Sequence, residues 1–270
     1  MVDKTSDDAF DEEEVIEQSR MPLVDHLTEL RKRLLYSLAA FVVLFFVCFY
    51  FAGTFFNFLV EPLAQVWEGQ EGRQLIYTAL TEKFFTDIKV AFFAAAFLSF
   101  PVLASQVWTF VAPGLFKREK MAFLPFLIAT PVLFFAGGMF VYYILLPVAW
   151  QFFASFEQLA GGGELAITLV PKVNEYLSLV MRLIFAFGLS FELPVCLLIL
   201  VKVGITTPAG LRKKRRYAIV VAFVAAAILT PPDPLSQLAL ALPIILLYET
   251  SILVAVYMMR KRDAEDAAEA

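Results

Sequence analysis

An all-α integral membrane protein is the fold class this sequence predicts, and three observations predict it. Hydrophobic residues make up 60% of the chain and aromatics 15%, against 18% charged, which is more apolar surface than a domain in water can carry. The apolar residues gather into six runs, most of them long enough to cross a hydrocarbon core of about 30 Å as a helix. The bases sit beside those runs and hardly within them. The net charge of -4 is no guide to partners, because acids crowd the two ends, Asp7 to Glu17 and Asp263 to Glu269, and nucleic acid is not an expected partner. Cys48 and Cys196 lie inside apolar runs and read as small hydrophobic fillers; no cofactor or metal is expected.

Residues 1–20 are acidic and poor in large apolar side chains, so a disordered acidic tail is expected there, without the apolar core of a cleavable signal peptide. Residues 21–259 form the membrane domain, and 260–270 a second charged tail. Leu23, Leu27, Leu30 and Leu34 recur at helical spacing, which predicts an amphipathic helix over Val24–Arg33 lying on the membrane surface, ahead of a first span from Leu34 to Ala52. The mostly polar stretch through Glu61-Pro62 to Asp87 is too long for a turn and should hold short helices of its own.

The second span, Ile88 to Phe110, carries Pro101 and ends at Ala112-Pro113-Gly114. The third, Phe123 to Trp150, holds Pro125, Pro131 and Pro147 with Gly137-Gly138 between them, which predicts a bent, tilted helix. Gly161 to Gly163 mark a loop before the fourth span, Asn174 to Val201. A basic cluster, Arg212 to Arg216, precedes a fifth run, Tyr217 to Thr230, whose reach of about 21 Å falls short of the bilayer and predicts local thinning or incomplete crossing. Pro231-Pro232-Asp233-Pro234 reads as a stiff turn, and a sixth run, Leu235 to Met259, stops at Arg260-Lys261-Arg262. Bases counted by loop concentrate on one side, leaving Arg73, Lys83, Lys89 and Lys172 on the other, so both termini are expected in the cytoplasm.

Glu192 is the sole ionisable residue between Leu183 and Val201, and a charge at that depth costs roughly 2.5–3.5 kcal/mol, so it faces a bundle interior or a wet cavity. It is a functional candidate, with a protonated, purely packing carboxyl as the alternative. Arg182 is no partner along the same helix, lying about 15 Å away and roughly 280° around the axis. Chemical catalysis is not expected. The single histidine, His26, sits beside Asp25 on the surface helix, no aspartate pair falls within the spans, and no phosphate loop is present. Glu29 and Glu119 are carboxylates among bases on one face, which serves either ordinary salt bridging or a binding role.

Resemblance decides between those two roles. The string His26-Leu27-Thr28-Glu29-Leu30-Arg31-Lys32-Arg33-Leu34 resembles the amino-terminal signature of the TatC family, the multi-spanning subunit of the twin-arginine protein translocase. In order, Gln106 to Leu115 with Glu119, Phe187 to Pro194, Leu211 to Arg216, and Leu229 to Asp233 with Ser236-Gln237 resemble further TatC segments.

The resemblance implies an all-α integral membrane protein of six transmembrane helices, two of them short, forming a concave bundle in the cytoplasmic (inner) membrane. It implies a receptor for twin-arginine signal peptides of folded proteins, driven by the proton-motive force. Its implied partners are the single-span TatA and TatB subunits and membrane lipids, with self-association in a receptor complex. By residue, it implies Glu29 and Glu119 as signal-recognition carboxylates with Arg31, Phe110 and Pro113 around them, and Glu192 as the embedded carboxyl facing the concave pocket. Gln237 is implied in contact with partner helices, and Pro62 and Asp233 in extracytoplasmic loops; Glu249 also matches a family glutamate, with packing or snorkelling as the alternative. A two-carboxylate site suits an arginine pair, because each can take a guanidinium bidentately as no lysine can reproduce. The rival readings are a small-solute carrier with Glu192 as its ion site, and a scaffold whose carboxylates are structural.

Overall fold

The computed structural model describes residues 23–69, 72–111, 117–157, 168–229 and 234–269, with side chains described for all but 23–26, 111, 117–124, 234–236 and 262–269. The expectations for residues 1–20, Pro113 and Asp233, and for the Glu119 side chain, lie outside the described residues. Among the described residues every regular element is helical, apart from one isolated bridge between Ile76 and Lys172. Five stretches are long and apolar enough to cross a membrane: Leu27–Tyr50, Glu82–Phe110, Pro125–Ala154, Val173–Lys202 and Gln237–Lys261.

The first helix, α1 (Leu23–Tyr50), corrects the expectation of a separate surface helix. Between Arg33 and Leu34 there is no proline, glycine or cap to stop the backbone ladder, so the basic segment runs straight into the span. Leu27 and Leu34 stay largely exposed, at 63% and 66%, so this part of the leucine stripe is not covered by the described residues. Its principal neighbour is α3 (Glu82–Val111), where Cys48 packs on Ala91, Ala94 and Ala95. Small residues on α3 bring the two helices close, as membrane packing favours.

The expected short helix in the first loop is α2 (Ala52–Val66), with Pro62 buried inside it. Proline has no N–H, so the carbonyl of Phe58 loses its usual intrahelical donor. The Tyr142 hydroxyl donates to that carbonyl at 2.9 Å, and Tyr176 donates to the carbonyl of Leu59 at 3.0 Å. Pro62 thus frees one acceptor, used by Tyr142, and with the separate Tyr176 bond to Leu59 it holds α2 against the core of Leu59, Leu63, Trp150, Tyr176 and Leu177.

The third span is bent, as its prolines predict: α4 (Lys117–Phe140) passes through a π-turn, Val141–Leu145, into α5 (Leu146–Ala154). Pro147 comes two residues after the π-turn, and the wider turn relieves the clash its ring would make with the carbonyl four residues earlier, inside that turn. Gly137 meets α6 (Val173–Ser190) so closely that an added Cβ would lie 2.6 Å from the Phe187 carbonyl oxygen and 2.9 Å from the Gly188 Cα.

The fourth span is broken. Pro194 leaves Ser190 without its donor, the Glu192 amide turns instead to the Leu189 carbonyl at 3.1 Å, and α7 (Leu193–Lys202) starts from there. After the short α8 (Pro208–Lys213), capped by Thr207 at 3.1 Å as its sequence predicts, α9 (Arg215–Leu229) reaches about 22 Å. It pairs antiparallel with α10 (Pro234–Glu269), Arg215 to Glu249 at 2.6 Å and Gln237 to Phe223 at 3.2 Å. The shortness of the last pair is carried by α9; α10 runs unbroken through the charged residues after Met259.

Two loops are stitched together at the end of the bundle opposite Glu29. The Ile76 amide donates to the Pro171 carbonyl (3.3 Å) and the Val173 amide to the Ile76 carbonyl (3.1 Å). Arg73 grips both oxygens of Glu157, whose carboxylate also accepts from the Leu169 amide at 2.7 Å. The Arg73 guanidinium beside Glu157, aided by that amide, holds its carboxyl below the ordinary range.

Candidate receptor site

The site builds from helical spacing on α1. Glu29 and Arg33 are four residues apart, one above the other on the same face, and Arg33 Nη2 donates to Glu29 Oε1 at 3.1 Å. The other arm of the guanidinium crosses to α3, where Nη1 donates to Gln106 Oε1 at 3.3 Å. One rigid cation therefore fixes the carboxylate of α1 against the second helix. Phe110, half-buried, lies one turn beyond Gln106 on α3, and Arg31 is exposed on α1.

The fork leaves work undone. Glu29 Oε2 and Arg33 Nε are both buried without a hydrogen-bond partner among the described residues. A buried carboxylate oxygen with no donor is costly, on the order of 1–3 kcal/mol, and a guanidinium is the donor that suits it best. The structure thus brings together Glu29, Arg33 and Gln106, with Phe110 a turn away. Glu119 belongs to the first turn of α4 by its backbone, and its side chain, like Pro113, is outside the described residues. The sequence marks Arg33 only as one of several bases and Gln106 only as part of a motif. Their meeting, 73 residues apart, has no local signal.

Glu192 is at the bend between α6 and α7, not in the middle of a continuous helix as the length of the run suggests. It is half-buried, its Oε1 is buried without a partner, and the Thr130 hydroxyl of α4 is the side-chain donor facing it. Beside the bend, Leu189, Ser190, Leu193 and Leu197 line an open groove of about 620 Å³ whose far wall is Ala218, Ala222 and Ile244 of α9 and α10. Gln237 uses its amide nitrogen to tie α10 to α9, and Pro62 is buried in α2 as described. No cluster of potential metal ligands occurs among the described residues.

Comparison with known proteins agrees with this architecture. The model of the TatC family, Sec-independent protein translocase protein, matches residues 25–243. The Sec-independent protein translocase protein TatC of Magnetococcus marinus is 51% identical over 252 residues, covering 93% of this chain and 90% of that protein. The proteins of the same name from Rickettsia prowazekii and Escherichia coli (strain K12) are 44% and 39% identical, covering 88% and 92% of this chain and 94% of each relative. A crystal structure described as the twin arginine translocase receptor TatC in DDM superposes with a TM-score of 0.74 at 38% identity, covering 85% of this chain and 99% of that one. A second crystal structure of that receptor gives 0.72, with 86% and 98% covered. With the family's ordered motifs, its helical architecture and its length all matched, this chain belongs to the TatC family and is a core component of the Sec-independent, twin-arginine protein translocase.

Proposed function

We propose that this chain is the signal-peptide receptor of its translocase, docking the arginine pair of a folded protein's signal peptide at Glu29 and Glu119. Arg31, Phe110 and Pro113 surround that surface in this reading. The observation that carries it is the half-satisfied carboxylate of Glu29, whose second oxygen is buried without a donor while Arg33 and Gln106 hold the first in place. An incoming guanidinium would find its acceptor already oriented, so little ordering is left to do on binding.

The apolar part of the peptide then follows the bundle toward Glu192, a carboxyl at a helix bend that offers a polar destination at membrane depth. TatA and TatB gather at the α9–α10 pair, where Gln237 sits, and the proton-motive force drives export; Pro62 and Asp233 belong to the opposite, extracytoplasmic side. The protein resides in the inner membrane with both termini in the cytoplasm, a reading supported by the bases of α1, α8 and the end of α10 against the few at Arg73, Lys83, Lys89 and Lys172.

The test is photocrosslinking of a twin-arginine peptide and its twin-lysine control to the full-length protein in membranes. Wild type should capture the arginine peptide preferentially, and Glu29→Gln should lower capture about ten- to hundredfold, the worth of one charge-assisted bond. Equal capture of both peptides, or undiminished capture by Glu29→Gln and Glu119→Gln together, would refute the docking step.

A further inference from the structure

Arg182 lies in the middle of an apolar span, and nothing in the reading above uses it. It is exposed on α6, and among the described residues it has no ion-pair or hydrogen-bond partner. Counting from Val173, its Cα is nine residues into the helix, about 13 Å along the axis. Helical side chains lean toward the N-terminus, so the guanidinium reaches back over Ser178, one turn earlier, toward the Val173 end.

That direction leads along a groove of about 510 Å³, within the ~300–1,000 Å³ typical of small-ligand sites. Arg182, Ser178 and Asn174 form its polar floor, while Leu63, Trp150 and Leu229 are among its apolar walls. Glu175 also lines it, and Lys172 pairs with that carboxylate at 3.6 Å, leaving Arg182 as the excess positive charge. Asn174 is already committed, its Oδ1 accepting from Lys89 at 2.6 Å.

We propose that this groove is a binding site for one anionic phospholipid, its phosphate on Arg182 and Ser178 and its glycerol and upper acyl chain against Trp150 and Leu229. Charge complementarity selects the occupant. An uncompensated guanidinium at this depth needs an anion, a fixed planar fork matches phosphate oxygens, and the apolar walls match the rest of a lipid. The excess positive charge favours a net-negative headgroup over a zwitterionic one. A phosphate held there sits below the ordinary headgroup level, so the bilayer is drawn inward beside α6.

The experiment uses the full-length protein in phosphatidylcholine vesicles containing a phosphatidylglycerol probe with a photoreactive headgroup, and maps labelled peptides by mass spectrometry. Label should concentrate on the 174–182 segment and on the Trp150 peptide. Arg182→Gln should reduce it about tenfold, the loss of a charged hydrogen-bonding partner, while Arg182→Lys retains part of it and reports a correctly folded groove. Millimolar inorganic phosphate should not displace the label; full displacement would make this a site for free phosphate and overturn the lipid assignment. Labelling unchanged in Arg182→Gln, equal labelling by a phosphatidylcholine probe, or displacement by an acidic single-span helix and not by excess phosphatidylglycerol would each overturn it as well.

Discussion

A carboxylate among bases is ambiguous in sequence, and Glu29 shows what resolves it. The ordinary four-residue pair with Arg33 does form, yet the second oxygen of Glu29 is left buried and unpartnered among the described residues. The pairing was legible from spacing alone; the crossing to Gln106 was not, because only the packing of α1 on α3 brings those groups together. The fork makes a specific prediction. Arg33→Lys keeps the charge but cannot span Glu29 and Gln106 with a planar group, so twin-arginine peptide capture should weaken several-fold, about 1 kcal/mol, in a titration that leaves the melting temperature nearly unchanged. The sequence marks Glu192 as an isolated acid in an apolar run, while its position at a bend follows from Pro194 two residues later, a proline that the length of that run conceals.

At the scale of elements, hydrophobic periodicity and proline placement located the helices well and their junctions less well. The surface helix expected before the first span is one with it, since amphipathic spacing does not distinguish a helix lying on a membrane from one whose leucines face lipid along its length. The bend of the third span was legible from its prolines, whereas the contact of Gly137 with the backbone of α6 required knowing which helix lies opposite. Because the obstructing atom there is a backbone carbonyl, 2.6 Å from where a Cβ would stand, neighbours cannot swing aside. Gly137→Ala should therefore destabilise the protein by about 1–3 kcal/mol, read as a lower melting temperature in detergent. The short α9 offers a second check. Four added apolar residues lengthen it by about 6 Å while nearly preserving its faces, and if its shortness thins the bilayer for export, transport should fall while peptide capture stays intact.

At the scale of the whole molecule, the closure of the loops around Arg73 and Glu157 on each other has no local sequence signal, since 84 residues separate the two and each looks like a solvated loop charge. Pairing with Arg73 lowers the folded-state pKa of Glu157, so its stabilisation is fully present above the unfolded carboxyl's range and is lost as pH falls through the lower folded value. Wild type should therefore lose melting temperature on acidification below about pH 4, and Glu157→Gln should start lower at neutral pH and show less of that acid-dependent fall. At the other end, α1 is fastened chiefly along one seam, Cys48 and its neighbours on the alanines of α3, with much of its remaining surface turned away from the protein. A tug on Glu29 is accordingly borne by a single smooth joint and by the Arg33 rivet across it. On the receptor reading proposed above, a pull on docked peptide would load that joint first and leave the stitched loops at the far side closed.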